Sequence, residues 1–241
     1  MLYSVFWLLI FLSICLISSH VITAASASTS LWGKKLLFQP LPCLWRLQPG
    51  VVVPALRELS VCVSLRRTVL TEWTGFDYKA PGNKETELGL GGQNGQIIVK
   101  IFGKQRQWKN NNILNEWQSV CLTWSGQAQR LRIYINSSFL DEVDLKTSQQ
   151  LSKNGTLTLG VSHYVSPNGE MHTVSGTNLV GEIGLFRMWA REWSHEELRS
   201  LSCADGDVVM RFSMERNSNV LKEKLIREQM KGSFRCYFPR K

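Results

Sequence analysis

Several short stretches of the chain alternate between apolar and polar residues, which is the pattern of β-strands that bury one face. Residues 59–67, LSVCVSLRR, have one wholly aliphatic face and place Cys62 on the other face. Residues 130–136, RLRIYIN, alternate in the same way and follow a turn at Gly126. We therefore expect them to pair with the preceding apolar stretch, residues 115–126, in an antiparallel hairpin.

Turn and capping residues mark the boundaries of further elements. The Asn-Gly pair at 94–95 predicts a tight hairpin turn ahead of a strand at 96–102, because both residues tolerate a positive φ. The Ser-x-x-Glu sequence at 194–197 has the spacing of a capping box, which predicts one short helix over 195–202. Other strands are predicted at residues 31–39, 155–160, 178–190 and 208–214. Many short strands and a single helix predict an all-β fold, an antiparallel jelly-roll β-sandwich.

The first thirty residues contain no Lys, Arg, Asp or Glu. Their apolar stretch at 5–17 has the length of the hydrophobic region of a signal peptide, and Ala25 and Ala27 fit the cleavage rule. We therefore expect a signal peptide at 1–27 and one exported domain at 28–241, with an uncleaved anchor as the alternative. No later stretch reaches the length of a membrane span.

Charge and sequons also favour an extracellular protein. The net charge is +9, which draws a secreted protein to acidic surfaces such as sulfated glycans, or else reflects only a solvated basic surface. No zinc finger or helical basic stripe is present, so we expect no nucleic-acid partner. Asn136 and Asn154 each begin an Asn-x-Ser/Thr triplet and are predicted glycosylation sites.

The chain has six cysteines, one of which, Cys15, lies in the predicted leader. The five that remain are Cys43, Cys62, Cys121, Cys203 and Cys236. None lies in a Cys-x-x-Cys pair or a Cys/His cluster, so we expect no zinc site. In an oxidising compartment most of them should pair, and the odd one is either a buried thiol or an intermolecular link.

The apolar strand with Cys121 followed by Thr-Trp resembles the signature of the pentraxin family. Residues 179–184, LVGEIG, followed by Met-Trp and a Ser-x-x-Glu helix start, resemble another pentraxin block. The chain departs from the family at Ser119, where pentraxins have His, and at Gly126, where they have Ser or Thr. The resemblance implies the sandwich shared by pentraxin, laminin-G and concanavalin-like domains.

A subset of the family resembles the chain more closely, namely the pentraxin-like N-terminal domain of subfamily G adhesion G-protein-coupled receptors. The matching runs are GKKLLF, CLTWSGQAQRLRIYIN, NGTLTLG, CADGDVVM and FRCYFP. This resemblance implies a Cys62–Cys121 bridge and a Cys203–Cys236 bridge, which leaves Cys43 as a free or intermolecular thiol. We expect the first bridge to cross the sandwich, with Trp124 supplying core surface nearby.

Circulating pentraxins bind ligands through paired calcium ions, and the resemblance places an acid-amide-acid triplet of ligands after the Leu-Gly at 159–160. Here residues 161–164 read VSHY and contain no carboxylate. The other ligand pair falls near Asn83 and Glu85, with an unfavourable lysine between them. We therefore expect no tight calcium site of the family type. Asn83, Glu85 and Glu170 stay as candidate ligands, because calcium requires several oxygen atoms, and we expect no other cofactor.

We also expect no enzymatic activity. Sandwich glycoside hydrolases need two carboxylates that flank the scissile bond. Glu85 and Glu87 are alternate residues, but they follow Pro81-Gly82 at the edge of a predicted loop. No serine has a recognisable nucleophile elbow.

These features predict an extracellular recognition or adhesion module that binds protein or glycan through residues 79–95 and 161–178. It would be the N-terminal domain of an adhesion receptor or a free secreted relative, and a dimer rather than a pentamer if it assembles with itself. The alternative is a soluble innate-immune pentraxin, a calcium-dependent oligomer that recognises microbial or damaged-cell surfaces. A third reading is a basic heparin-binding domain.

Overall fold

The computed structural model describes residues 28–30, 35–40, 44–47, 50–109, 114–166, 168–201 and 211–215. These residues form strands and one helix, α1 (His195–Ser200). The strands are β1 (Ser28–Ser30), β2 (Leu36–Phe38), β3 (Leu44–Leu47), β4 (Glu58–Arg67), β5 (Trp73–Lys79), β6 (Leu88–Gln93), β7 (Gln96–Ile101), β8 (Lys104–Lys109), β9 (Trp117–Ser125), β10 (Arg130–Ile135), β11 (Ser138–Asp144), β12 (Thr156–Leu159), β13 (His163–Val165), β14 (Met171–Thr173), β15 (Gly181–Trp189) and β16 (Arg211–Glu215).

The strands form two large antiparallel sheets and one small hairpin. The eight-stranded sheet has the order β1-β16-β3-β12-β5-β6-β7-β8, and the six-stranded sheet has the order β11-β10-β9-β4-β15-β2. Among the described strands, β13 and β14 pair with each other and with no other strand. This architecture confirms the predicted antiparallel jelly-roll sandwich with one short helix.

The main core lies between the two large sheets. The aliphatic face of β4 and the apolar face of β9, including Trp124, belong to it. Phe76 of β5 packs edge-to-face on Phe186 of β15, with ring centroids 5.3 Å apart, so the two sheets are in direct contact. The alternation of apolar residues thus decides which face of each strand points inward.

Most of the predicted elements are present with small shifts of their ends. The strand predicted at 59–67 is β4, and β10 pairs with β9 as predicted, with Arg130 opposite Ser125. Asn94 and Gly95 both have a positive φ, as the predicted hairpin turn between β6 and β7 requires.

The predicted capping box is also present at the start of α1. The backbone N–H of Ser194 donates to the carboxylate of Glu197 at 2.7 Å, and the backbone N–H of Glu197 donates back to the Ser194 hydroxyl. The helix ends at Ser200, two residues before the predicted end. The described helix is not long and apolar enough to cross a membrane.

The disulfide implied by the family resemblance is present, but it does not cross the sandwich. Cys62 and Cys121 are joined, and they lie directly opposite each other on the neighbouring strands β4 and β9. The bond is therefore within the six-stranded sheet, on its outer face. Trp124 lies on the opposite face of β9, in the main core. The prediction that Trp124 packs near the disulfide is therefore wrong.

A second small core covers this disulfide. The two cysteines pack with Tyr134 of β10, Trp189 of β15, and the residues in and around α1, which are Trp193, Leu198 and Leu201. Rings of Trp189 and Trp193 lie 4.9 Å apart at their centroids. Helix α1 thus shields the bridge from solvent, which explains why cysteines on the polar face of their strands are buried.

Candidate ligand-binding face

The two segments predicted to bind ligands meet on the outer face of the eight-stranded sheet, at Asp77 of β5. Phe76 and Tyr78 lie in the main core, so the alternation of β5 directs Asp77 to the opposite face. The segment predicted as a loop at 79–95 is a loop only to residue 87, because β6 follows. The segment at 161–178 contains the β13–β14 hairpin.

The Asp77 carboxylate holds these two segments together. The hydroxyl of Thr86, from the β5–β6 connection, donates to Oδ1 at 2.8 Å. The hydroxyl of Ser162 donates to Oδ2 at 2.7 Å, and the backbone N–H of His163 donates to the same oxygen at 3.2 Å. Asp77 is only 2% exposed, because the hairpin covers it. It therefore fixes the β13–β14 hairpin against the sheet.

Two further side chains lie close to the buried charge of Asp77. The Nδ1 atom of His163 is 3.3 Å from Oδ2 of Asp77, and the Lys79 ammonium is 3.8 Å from the same oxygen. Burial on its own raises the pKa of Asp77, but the hydrogen bond from His163, the charges of Lys79 and His163, and the hydrogen bond from Ser162 outweigh it. The pKa of Asp77 is lowered to about 2, so this carboxylate is ionised at neutral pH.

Hydrogen bonds around His163 assign its tautomer. Its Nδ1 atom is 3.0 Å from the hydroxyl of Thr158, which itself donates to the carbonyl of Val161 at 2.9 Å. A hydroxyl has one hydrogen, so the Thr158 oxygen accepts from Nδ1–H. The ring is fully buried, and its Nε2 atom has no hydrogen-bond partner among the residues the structure describes.

The three candidate calcium ligands lie in two different turns. Asn83 Oδ1 accepts from the backbone N–H of Glu85 at 3.0 Å, which is a local turn contact. Glu170 lies in the β13–β14 turn, where its carboxylate accepts from the side chain of Asn168 at 3.0 Å. All three candidates are exposed.

The residues of this face do not fit a calcium ion. Asp77 is a single buried carboxylate, and its oxygens already accept from Thr86, Ser162 and His163. The nearby Lys79 ammonium, which also donates to the carbonyl of Lys84 at 2.5 Å, would repel a second cation. No group of three or more His, Cys, Asp or Glu that could hold a metal exists within the described ranges.

Asp77 and Lys79 were missed as site residues in the sequence. Their signal is the run FDYK at 76–79, in which two opposite charges alternate with two aromatic residues. A charged residue that alternates with core residues normally indicates a solvated sheet face. Only the folding of a distant hairpin over that face makes it a buried ion pair.

The carboxylates considered for catalysis have separate local contacts. Glu87 accepts from the backbone N–H and the hydroxyl of Ser152, at 3.0 and 2.9 Å, and so fixes the β5–β6 connection. Glu85 is exposed. His172 stacks on Tyr164 in the hairpin with centroids 5.2 Å apart. The absence of catalysis stays a prediction.

Both predicted glycosylation sites are exposed. Asn136 lies in the β10–β11 turn, where its Oδ1 atom accepts from the backbone N–H of Ser119 at 2.9 Å. Asn154 lies in the turn before β12. Glycosylation itself stays a prediction. The signal peptide, Cys43 and the Cys203–Cys236 bridge fall outside the described residues.

The lowered pKa of Asp77 predicts a specific loss of stability in acid. A carboxylate with a folded-state pKa of about 2 and an ordinary value of 3.8 stabilises the fold above pH 4. That contribution, about 2 kcal/mol, is lost as the pH falls from 4 through 2. We expect urea unfolding between pH 5 and pH 2 to show this loss in the wild type.

The matched control for this pH dependence is Glu85→Gln, which removes an exposed carboxylate from the connection after β5. It should keep the wild-type loss of stability, whereas Asp77→Asn should lose less stability over the same pH interval. Equal pH slopes for Asp77→Asn and the wild type would show that Asp77 is not the titrating group.

Sequence comparisons extend these structural observations. A profile of the Pentaxin family matches residues 42–233. The mouse adhesion G-protein coupled receptor G4 is 29% identical over 164 residues, which cover 65% of this chain and 5% of the receptor. The chain therefore spans a small fraction of the length of the curated relatives it matches.

Two solved structures share the fold. The heptameric SAP-like pentraxin from Limulus polyphemus has a TM-score of 0.63 at 19% identity, and the match covers 75% of this chain and 91% of that one. The full extracellular region of zebrafish Gpr126/Adgrg6 has a TM-score of 0.64 at 19% identity, over 80% of this chain and 27% of that one. The family profile covers β4 and β9 with their disulfide and the hairpin held by Asp77. The chain belongs to the Pentaxin family.

Proposed function

We propose that this domain is an extracellular recognition or adhesion module that binds protein or glycan ligands without calcium. It would serve as the N-terminal domain of an adhesion receptor or as a free secreted relative. The observation that supports this most is the Asp77 network, in which the protein's own hydrogen-bond donors and the Lys79 ammonium surround the carboxylate on the candidate face. Because the Asp77 oxygens already accept hydrogen bonds and Lys79 balances the charge, a divalent ion is not needed to hold this face together.

The network gives the hairpin a fixed position before any ligand binds. Ser162 and His163 contact Asp77 directly, and Thr158 holds His163 from the neighbouring strand β12. A loop that is already ordered loses little conformational entropy on binding. The exposed Tyr164–His172 stack on the same hairpin then offers a preformed contact surface.

The extracellular location is supported by the disulfide and by the relatives. A buried bridge between Cys62 and Cys121 forms and persists in an oxidising compartment. One of the matched structures is the extracellular region of a zebrafish adhesion receptor. The two predicted sequons and the predicted signal peptide are also typical of a protein in the extracellular compartment.

For self-assembly we propose a dimer through the edges of the sheets. Strands β8 and β11 lie on the same side of the sandwich, because the Trp108 indole N–H donates to Asp141 at 2.6 Å. Strand β8 carries three cations and no acid, whereas β11 carries three acids and no base. A two-fold axis on this side would place β8 of one copy against β11 of the other, with opposite charges in contact.

The proposal is tested with the secreted domain applied to cultured mammalian cells and to immobilised phosphocholine. We expect cell binding that chelation of calcium does not reduce, no calcium-dependent retention on phosphocholine, and the mass of a dimer by light scattering. The mass of a monomer would contradict the proposed dimer through β8 and β11. Calcium-dependent retention on phosphocholine with the mass of a pentamer would contradict the proposal and favour a circulating-type pentraxin.

A further inference from the structure

The outward positions of β7 and β8 form a polar surface, here named the glutamine–lysine face. Its members are Gln96, Ile98 and Lys100 of β7 and Gln105, Gln107 and Lys109 of β8. They are directly paired across the two strands, Gln96 with Lys109, Ile98 with Gln107, and Lys100 with Gln105. Paired residues share one face of a sheet, so the six side chains are neighbours.

This face points away from the core. The intervening residues of β7, which are Ile97, Val99 and Ile101, are fully buried in the main core. Trp108, opposite Ile97, packs partly against the same core. The glutamines of β8 and both lysines are exposed, so the face is open to a ligand.

The charge of this part of the sheet has one sign. Strands β6, β7 and β8 contain no Asp or Glu, and two of their four cations, Lys100 and Lys109, lie on this outward face, whereas Lys104 and Arg106 lie at the alternate positions of β8 on the other face. The whole chain carries a net charge of +9. A ligand with fixed negative charges is therefore attracted to this face without meeting a like charge on these three strands.

We propose that the glutamine–lysine face binds an acidic glycan chain. The ammonium groups of Lys100 and Lys109 pair with carboxylate or sulfate groups, and the amides of the glutamines both donate to and accept from sugar hydroxyls. Lys109 is opposite Gln96, and Lys100 lies four positions along β7 from Gln96, which is roughly 14 Å along a strand. The two cations are thus spaced for a chain of several sugars rather than for one. This inference rests on the proposed extracellular recognition function and names its ligand class.

The chemistry of the face disfavours other macromolecules. It has no aromatic side chain on which an unpaired base could stack. Ile98 is its one apolar member, so it lacks the hydrophobic centre of a protein–protein interface. Amide side chains beside a few cations suit a ligand that carries many hydroxyls and some negative charges.

The test is surface plasmon resonance with three immobilised probes: heparin oligosaccharide, hyaluronan oligosaccharide and neutral dextran. We expect binding to one or both acidic probes and none to dextran. The heparin arm tests sulfate with carboxylate, and the hyaluronan arm tests carboxylate alone. Equal binding to dextran, or no binding to either acidic probe, would overturn the inference.

Two sets of variants locate the site. Lys100→Glu with Lys109→Glu should weaken binding at least tenfold, because two charge-assisted contacts become repulsive. The control, Lys153→Glu with Arg199→Glu, makes the same charge change at exposed positions in the β11–β12 connection and on α1, and should change affinity less than threefold. An equal loss in both double variants would mean diffuse attraction to net charge and would overturn the inference.

The amides are tested separately from the charges. Gln105→Ala with Gln107→Ala should weaken binding severalfold while the dependence of affinity on salt stays as in the wild type. Unchanged affinity in this variant would contradict recognition by the amides. Thermal unfolding of every variant shows whether the fold is kept.

Cell binding separates this inference from the proposed function. If the Lys100→Glu, Lys109→Glu protein binds cells as well as the wild type when calcium is chelated, the recognition function stands and the glutamine–lysine face is the wrong site. If the wild type binds neither cells nor acidic probes, the proposed function fails as well.

Discussion

Replacing Asp77 by asparagine is expected to lower the free energy of unfolding by about 3 kcal/mol. The substitution keeps the size of the side chain and removes its charge, so the Lys79 ammonium loses the anion that compensates it in a buried site, and Nδ1 of His163 loses its contact with a carboxylate oxygen. Asparagine also turns one acceptor atom into a donor, which then faces donors from Thr86 or Ser162. Equilibrium unfolding in urea measures the change.

The matched control is Asp144→Asn on the exposed edge strand β11, where loss of a solvated charge should change stability by less than about 0.5 kcal/mol. Similar small effects for both variants would contradict a structural role for Asp77. A second readout is local. Amide hydrogen exchange in the β13–β14 hairpin should accelerate in Asp77→Asn, while exchange in β4 and β9 follows only the change in global stability.

Replacing both Cys62 and Cys121 by alanine is expected to lower the free energy of unfolding by about 4 kcal/mol. The bond links residues 59 positions apart, and in the chain-entropy model a loop of this length restricts the unfolded chain by that amount. The cysteines also pack under α1 in the second small core. The loss is measured by urea unfolding of the double variant against the wild type.

The control uses the neighbouring pair on the same face of the same two strands. Ser64 and Ser119 lie opposite each other, two residues along from the cysteines, and no covalent bond joins them. Their double alanine variant should change stability by less than about 1 kcal/mol. A double cysteine variant as stable as this control, or peptide mapping that finds Cys121 as a free thiol in the wild type, would contradict a stabilising Cys62–Cys121 bond.

The strands that alternation predicted are those with one apolar face in the core. β4 and β10 show this pattern clearly, because their aliphatic residues recur at every second position. β8 and β11 were not predicted. Both lie at a sheet edge with most side chains in solvent, so KQRQWK and SFLDEVD carry no alternating signal. Their pairing is decided by the neighbouring strands rather than by their own residues.

The site was only partly predictable for a related reason. The loss of carboxylates at 161–164 is visible in the sequence and correctly drew attention to this segment. The role of Asp77 is not visible, because its burial depends on Ser162 and His163, more than eighty residues away. Likewise the family resemblance implied the correct cysteine pair, whereas its position within one sheet depends on the register of β4 against β9.

Isothermal calorimetric titration of the metal-stripped secreted domain with calcium tests whether the candidate ligand-binding face works without a divalent ion. We predict no saturable heat of binding up to millimolar calcium and no calcium-dependent rise in the midpoint of thermal unfolding, because Asp77 is already compensated by the protein's own groups. Saturable binding in the micromolar range, with a rise in thermal stability that Asp77→Asn abolishes, would contradict this prediction.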